Sequence, residues 1–129
     1  MARRAVVIGT GHGVPSRVMT NLDLEKLVDT SDEWIRQRTG IRERRICGPG
    51  DTASTLSIAA AKEALATSDT DPKDLDLIVV GTVSGDFQFP SVACLVQDAI
   101  GARPVGAFDI GAACAGFIYS IATATSMIE

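Results

Sequence analysis

Histidine is nearly absent from this sequence: His12 is the only one in 129 residues. Cysteine is sparse too, with Cys47, Cys94 and Cys114 far apart and no Cys-x-x-Cys pair. Zinc and related centres need sulfur and imidazole ligands at short, regular spacing, so this pattern argues against a metal site. An odd number of scattered cysteines forms no disulfide framework and fits a reducing compartment. Lysine and arginine form no long run and the formal net charge is -4, so the basic surface of a nucleic-acid binder is missing. Only four apolar residues separate Met1-Ala-Arg-Arg from Gly9, too few for a signal-peptide core. Repeats, low-complexity tracts and linkers are missing as well. What remains, 46% hydrophobic and 22% charged residues, is the profile of one globular domain or part of one.

Charge is also missing from one particular place. Ile110 to Ile128 holds nineteen residues without Asp, Glu, Lys, Arg or His, which is membrane-spanning length. The stretch is rich in Ala, Gly, Ser and Thr and opens on a glycine-containing junction. Helices apolar all round also occur in the middle of soluble folds, so the expectation is a buried central helix and no membrane span.

Apolar runs and breakers order the rest. Ala5 to Ile8 reads as a buried strand ending at Gly9. The glycines of Gly9-Thr-Gly-His-Gly-Val-Pro open no helix, as a dinucleotide fingerprint would require, and read as a turn in which His12 is solvated without a partner. Asn21 is placed to cap a helix to about Val28. Thr30-Ser-Asp-Glu has the spacing of a capping box, Thr30 with Glu33, for a short helix ending near Gly40. Ile41 to Ile46 is a strand or an irregular arm, and Pro49-Gly50-Asp51 a turn. Thr52 to Ala66 predicts a four-turn helix. Leu75 to Val80 predicts a strand apolar on both faces. Pro90-Ser91 opens a helix to Ile100, closed by Gly101, with Cys94 a small core residue inside it. Val105 to Asp109 is a further strand and Ala115 to Glu129 a helix. Strands alternating with helices predict an α/β fold with a mostly parallel sheet covered on both sides.

Three features bear on chemistry. In Asp109-Ile-Gly-Ala-Ala-Cys-Ala-Gly-Phe, Cys114 sits at a strand-to-helix junction, near the helix's unpaired N–H groups and the positive end of its dipole. That setting favours the nucleophilic thiolate. Its small neighbours Gly111, Ala112, Ala113, Ala115 and Gly116 allow a substrate and backbone to approach closely. Trp34 and Arg38 lie four apart on one helix face. They read as a packed tryptophan covered by an arginine, which spacing alone favours, or as an aromatic platform for a base with a cation for a phosphate. Five arginines between Arg36 and Arg45 form either a solvated face or a local anion site.

Taken together, four segments resemble the N-terminal half of β-ketoacyl-acyl-carrier-protein synthase III, a condensing enzyme of the thiolase-like fold. They are Thr30-Ser-Asp-Glu-Trp-Ile, Arg38-Thr-Gly-Ile-Arg-Glu-Arg, Phe89-Pro-Ser, and Asp109 through Tyr119 with Ala113-Cys114-Ala-Gly-Phe at its centre. The resemblance runs from about Val6 to the last residue. It implies one N-terminal thiolase-like half-domain over 1–129, with an αβαβα layering and a buried helix after the nucleophile.

The resemblance also implies roles. Cys114 would take a short acyl group from coenzyme A as a thioester, its own N–H forming part of an oxyanion hole. Trp34 would stack on the coenzyme A adenine, with Thr30 a polar contact near that base and Arg38 a contact to the phosphates. Phe89 would reach across a homodimer interface to line the partner's acyl pocket. The acyl-enzyme would then condense with malonyl-acyl carrier protein, starting type II fatty acid synthesis in the cytoplasm. No metal or bound cofactor is implied, since acyl-coenzyme A is a substrate. Members of the family are more than twice as long, and their second half supplies a histidine and an asparagine to the site. Neither has a counterpart here, because His12 and Asn21 precede the first matched motif. The expectation is a chain that accepts an acyl group without condensing it, with the uncharged helix exposed for want of covering strands. The alternatives are a non-catalytic fragment that binds coenzyme A or completes its core with a partner chain, and a related condensing enzyme of polyketide or quinolone biosynthesis.

Overall fold

The computed structural model describes residues 4–128. Met1 to Arg3, where the signal-peptide reading begins, and Glu129, the last residue of the expected final helix, lie outside the described residues. The chain divides into two units: Val14–Asp51, and the segment up to Gly13 together with everything from Thr52 onward.

In the larger unit, strands β3 (Leu77–Gly81) and β4 (Gly106–Ile110) pair in parallel, Leu77 opposite Gly106 and Gly81 opposite Ile110. Parallel pairing needs a crossover, and helix α4 (Val92–Ile100) supplies it. Ser91 caps α4 by accepting from the Cys94 N–H, and Gly101 closes it, both as expected. Val92, Ala93 and Val96 on this helix are the fully buried apolar residues of the unit. Side chains alternate across a strand. Leu77, Val79 and Gly81 therefore face the final helix, α5 (Gly116–Ile128), while Asp109 faces α4. Helix α3 (Ala53–Ser68) packs on α4, capped reciprocally by Thr52 and Thr55. The expected α3, β3, α4, β4 and α5 are all present within about two residues.

The expected strand at Ala5 to Ile8 is not formed. Among the described residues no strand ladders with it, and Val6, Val7 and Ile8 are exposed, Val7 by 78%. Its backbone groups need a neighbouring strand edge, and an apolar run alone cannot supply one. Nor are the following glycines a turn. A Cβ on Gly9, Gly11 or Gly13 would lie 2.6, 2.1 or 2.0 Å from the carbonyl oxygens of Ala64, Ala60 and Leu56 respectively. Two extended residues advance about 6.6 Å and four helical residues about 6.0 Å. Every second residue therefore meets α3 one turn further back, and only glycine leaves room. Thr67 clamps this segment through Thr10 O (2.9 Å), and Glu63 does so by accepting from the His12 N–H (2.8 Å). His12 thus has a partner: its Nδ1 lies 2.7 Å from the Glu63 carboxylate.

The smaller unit is an antiparallel pair, β1 (Arg17–Thr20) with β2 (Glu43–Ile46), and two short helices, α1 (Asn21–Glu25) and α2 (Asp32–Thr39). Strand β1 is not evident from the sequence pattern. Both expected caps shift by one residue. Thr20, not Asn21, caps α1, in a reciprocal box with Asp23. Ser31, not Thr30, caps α2 by accepting from the Trp34 N–H, and Glu33 instead bonds Gln37. Asn21 is only 1% exposed because its amide is needed elsewhere: it donates to Asp32 and to Ile41 O and accepts from Arg44 Nη2, each at 2.8 Å. The arginine cluster is mostly committed internally, with Arg36 on Asp32, Arg44 on Asn21 and Arg45 on Pro15 O.

Candidate active site

Strand β4 delivers the chain to a sharp turn. Ala113 has φ +44°, a left-handed conformation rare for a residue with a Cβ. A short 3-10 turn, Ala113–Ala115, follows, with the Ala115 N–H donating to Ala112 O at 2.9 Å, and α5 begins at Gly116. Cys114 is the middle residue of that turn and is exposed. Strain of this kind persists only where surrounding structure over-determines it. Two contacts do so here. Gly116 is buried against Gly81, so closely that a Cβ on Gly81 would fall 2.9 Å from Gly116 backbone. On the other side of β4, the Asp109 carboxylate accepts from the Val92 N–H (2.8 Å) and the Ala93 N–H (2.9 Å) at the start of α4. Neither Gly81 nor the Asp109 side chain is assigned a role by sequence reasoning. The available signals are a glycine closing an apolar strand and an acid at the tip of the strand before the small-residue run.

The turn sits at the carboxyl end of a parallel strand, where open α/β sheets hold their ligands. Among the described residues no side chain hydrogen-bonds the Cys114 sulfur, and no cluster of three metal-ligating side chains occurs. The thiol is thus open to an electrophile without a neighbouring base on it. A groove of about 1020 Å³ runs between β3 and α5, but Cys114 does not line it.

Phe89 lies on the connection between β3 and α4 and is 87% exposed. That connection is anchored at Asp86, whose carboxylate accepts from the Ser54 N–H (2.9 Å) and hydroxyl at the first turn of α3. Hydrogen bonds from Ser54, then Thr52, hold the Asp86 carboxyl below the ordinary carboxylate range. In the smaller unit, Trp34 is 56% exposed and the Arg38 guanidinium sits over its ring, 6.0 Å from the centroid. The ring is partly open to solvent, with Arg38 beside it as the spacing predicts. Thr30 is half-buried, one residue before the α2 cap. The structure therefore brings Trp34 and Arg38 together, and sets Cys114 and Phe89 on separate connections of the larger unit.

No family model matches the chain. Among curated proteins, a β-ketoacyl-acyl-carrier-protein synthase III from Roseiflexus castenholzii is 54% identical over all 129 residues. The chain spans 39% of that relative's length. Among solved structures, a 3-oxoacyl-acyl-carrier-protein synthase III from Aquifex aeolicus superposes with a TM-score of 0.89 at 54% identity, covering 94% of this chain and 39% of that one. A priming β-ketosynthase from a polyketide biosynthetic pathway gives 0.90 at 35% identity over 100% of this chain and 39% of that one. The thiolase-like α/β fold expected from the sequence is the fold of these structures.

Proposed function

We propose that this chain, similar along its whole length to β-ketoacyl-acyl-carrier-protein synthase III, is the nucleophile-bearing part of such a condensing enzyme. The observation that carries this reading is the exposed thiol of Cys114 on a strained turn between a parallel strand and an apolar helix. The Cys114 sulfur, as thiolate, attacks the carbonyl carbon of an acyl-coenzyme A thioester. A new carbon–sulfur bond forms, the old one breaks, and coenzyme A leaves as its thiolate and takes up the proton that Cys114 lost. Trp34, Arg38 and Thr30 hold the adenine end of coenzyme A, Phe89 contributes to the acyl pocket of a partner protomer, and no bound cofactor takes part. In the whole enzyme, the acyl group then condenses with malonyl-acyl carrier protein in the cytoplasm. These 129 residues contain no histidine or asparagine in the motifs that would promote that step, so on their own they accept acyl groups and do not condense them. Acyl transfer to Cys114 is the level at which the function is proposed. A second reading, a fragment whose core a partner chain completes, is favoured by the exposed face of α5, where Phe117 is 72% exposed.

The test is intact mass after incubation with acetyl-coenzyme A. One acetyl adduct is expected on the wild-type chain and none on Cys114→Ala. An adduct that persists in the variant would overturn the assignment. No β-ketoacyl product is expected from malonyl-acyl carrier protein.

A further inference from the structure

We infer that Asp109 is the positioning residue of the Cys114 turn, an inference that rests on the acyl-transfer reading of that cysteine. Asp109 stands near the end of β4, five residues before Cys114, and its side chain turns away from α5 toward α4. Both carboxylate oxygens are used: Oδ2 takes the Val92 N–H and Oδ1 the Ala93 N–H. These belong to the first turn of α4, whose N–H groups have no partner within the helix. Val92 and Ala93 are fully buried, so the donors cannot move without disturbing the densest packing of the unit. The carboxylate therefore ties β4 to the buried start of α4, four residues before the chain enters its left-handed residue at Ala113. The second tie, Gly116 on Gly81, lies beyond the turn. Between the two, the turn is closed by its own backbone bonds, the Ala115 N–H on Ala112 O and the Gly116 N–H on Ala113 O. Ser91 already caps α4 through the Cys94 N–H, so Asp109 is a second cap drawn from another strand. Ser91 and Asp109 satisfy different N–H groups, and a cap drawn from another strand also fixes where β4 ends.

Asp109 is also the point where two connections meet. Phe89, Pro90 and Ser91 lead directly into the N–H groups that it holds, so one carboxylate sets the end of the Phe89 connection and the start of the Cys114 turn. Its loss should displace the thiol without unfolding α4, because Ser91 remains.

The experiment uses the 129-residue chain in wild-type, Asp109→Asn, Asp109→Glu and Val92→Pro forms. Val92 is the first residue of α4, where proline is accommodated, and Ser91 before it is already extended, so that substitution deletes one donor and keeps the carboxylate. Circular dichroism confirms folding. Iodoacetamide labelling followed by peptide mapping then gives the rate at Cys114 relative to Cys47, which is exposed in the smaller unit and serves as the internal reference. Acetyl transfer from acetyl-coenzyme A is measured in parallel. The expected result for Asp109→Asn is acetyl transfer slower on the order of tenfold to a hundredfold. Its half-saturating acetyl-coenzyme A concentration and Cys47 labelling should not change, while the Cys114-to-Cys47 labelling ratio should. Asp109→Glu should recover part of the rate, and Val92→Pro should show a smaller loss of the same kind. A folded Asp109→Asn chain with wild-type Cys114 rates overturns the inference. Should that variant fail to fold, Val92→Pro decides by the same criterion. A wild-type chain that takes no acetyl group, yet whose Cys114 labelling still responds to Asp109, fails the acyl-transfer reading and leaves the positioning role standing.

Discussion

At the scale of single residues, close backbone approach explains more than side-chain chemistry does. Gly81 has no special φ, and its role is space: α5 begins against it through Gly116. Gly81→Ala would force a methyl group to 2.9 Å from backbone that cannot rotate away, and overpacking of this kind costs about 2 kcal/mol. The urea midpoint should fall accordingly, and acetyl transfer to Cys114 should slow with it. Trp34 makes a different argument. Its ring is open on the surface with one cation over it, so its removal should leave the fold intact. Base–aromatic stacking is worth about 1–3 kcal/mol. Trp34→Ala is therefore expected to raise the KM for acyl-coenzyme A about tenfold and to change turnover less. Both helical neighbours and their common face were legible in the sequence. The exposure of the indole was not, because exposure depends on what packs there.

At the scale of elements, carboxylates at helix starts join pieces distant in sequence. Asp86 is thirty-two residues from Ser54, yet it accepts two hydrogen bonds at the first turn of α3 and thereby holds the connection that bears Phe87 and Phe89. Its carboxyl lies below the ordinary range in the folded chain because Ser54, then Thr52, stabilise the charged form. The stability this confers is fully present above the unfolded value of about 3.9. It is lost as pH falls through the lower folded value. Urea unfolding from pH 7 to 3 should show wild-type stability declining at the acid end, and Asp86→Asn should flatten that decline while lowering stability at pH 7. Asp23 follows the same logic in the smaller unit. Hydrogen bonds from the Thr20 hydroxyl and Lys26 lower it to about 2, which fastens the α1 cap. Helix starts were legible in part: those of α3 and α4 were placed within two residues, while the expected caps of α1 and α2 were each one residue off. In both misses a neighbouring polar residue was an equally good local candidate, and long-range bonds from Asn21 decided between them.

At the scale of the molecule, the apolar surface is large. The accessible area is 9089 Å², against about 6,500 Å² for a compact monomer of this mass. The excess includes Val6 to Ile8 and the first turns of α5, where Phe117, Ile118, Tyr119 and Ile121 are all exposed. A helix expected at the centre of a layered fold here has a two-stranded sheet on one side and solvent on the other. No helix among the described residues is long and apolar enough to cross a membrane. Exposed apolar area of this extent binds hydrophobic dyes. The native chain is expected to enhance the fluorescence of ANS, and Phe117→Ser with Ile121→Ser to reduce that enhancement without loss of circular dichroism. A wild-type chain that leaves the dye dark would contradict the exposure of α5.

The sequence by itself determined the succession from α3 to α5, the parallel strands, the closing glycines of α2 and α4, and the place of Cys114 between a strand and a helix. Each of these rests on signals within one element: apolar period, cap residue, breaker. The tertiary structure alone decided that Ala5 to Ile8 is no strand and that Gly9, Gly11 and Gly13 are a row pressed on α3. It also decided that His12 meets Glu63, and that Asp86 and Asp109 anchor connections rather than face solvent. These contacts join residues sixteen or more positions apart, and no local pattern encodes which backbone will lie beside which. The place of Cys114 between a strand and a helix is thus written along the chain, and the strain and anchors around its turn arise only when β4 is set between α4 and α5.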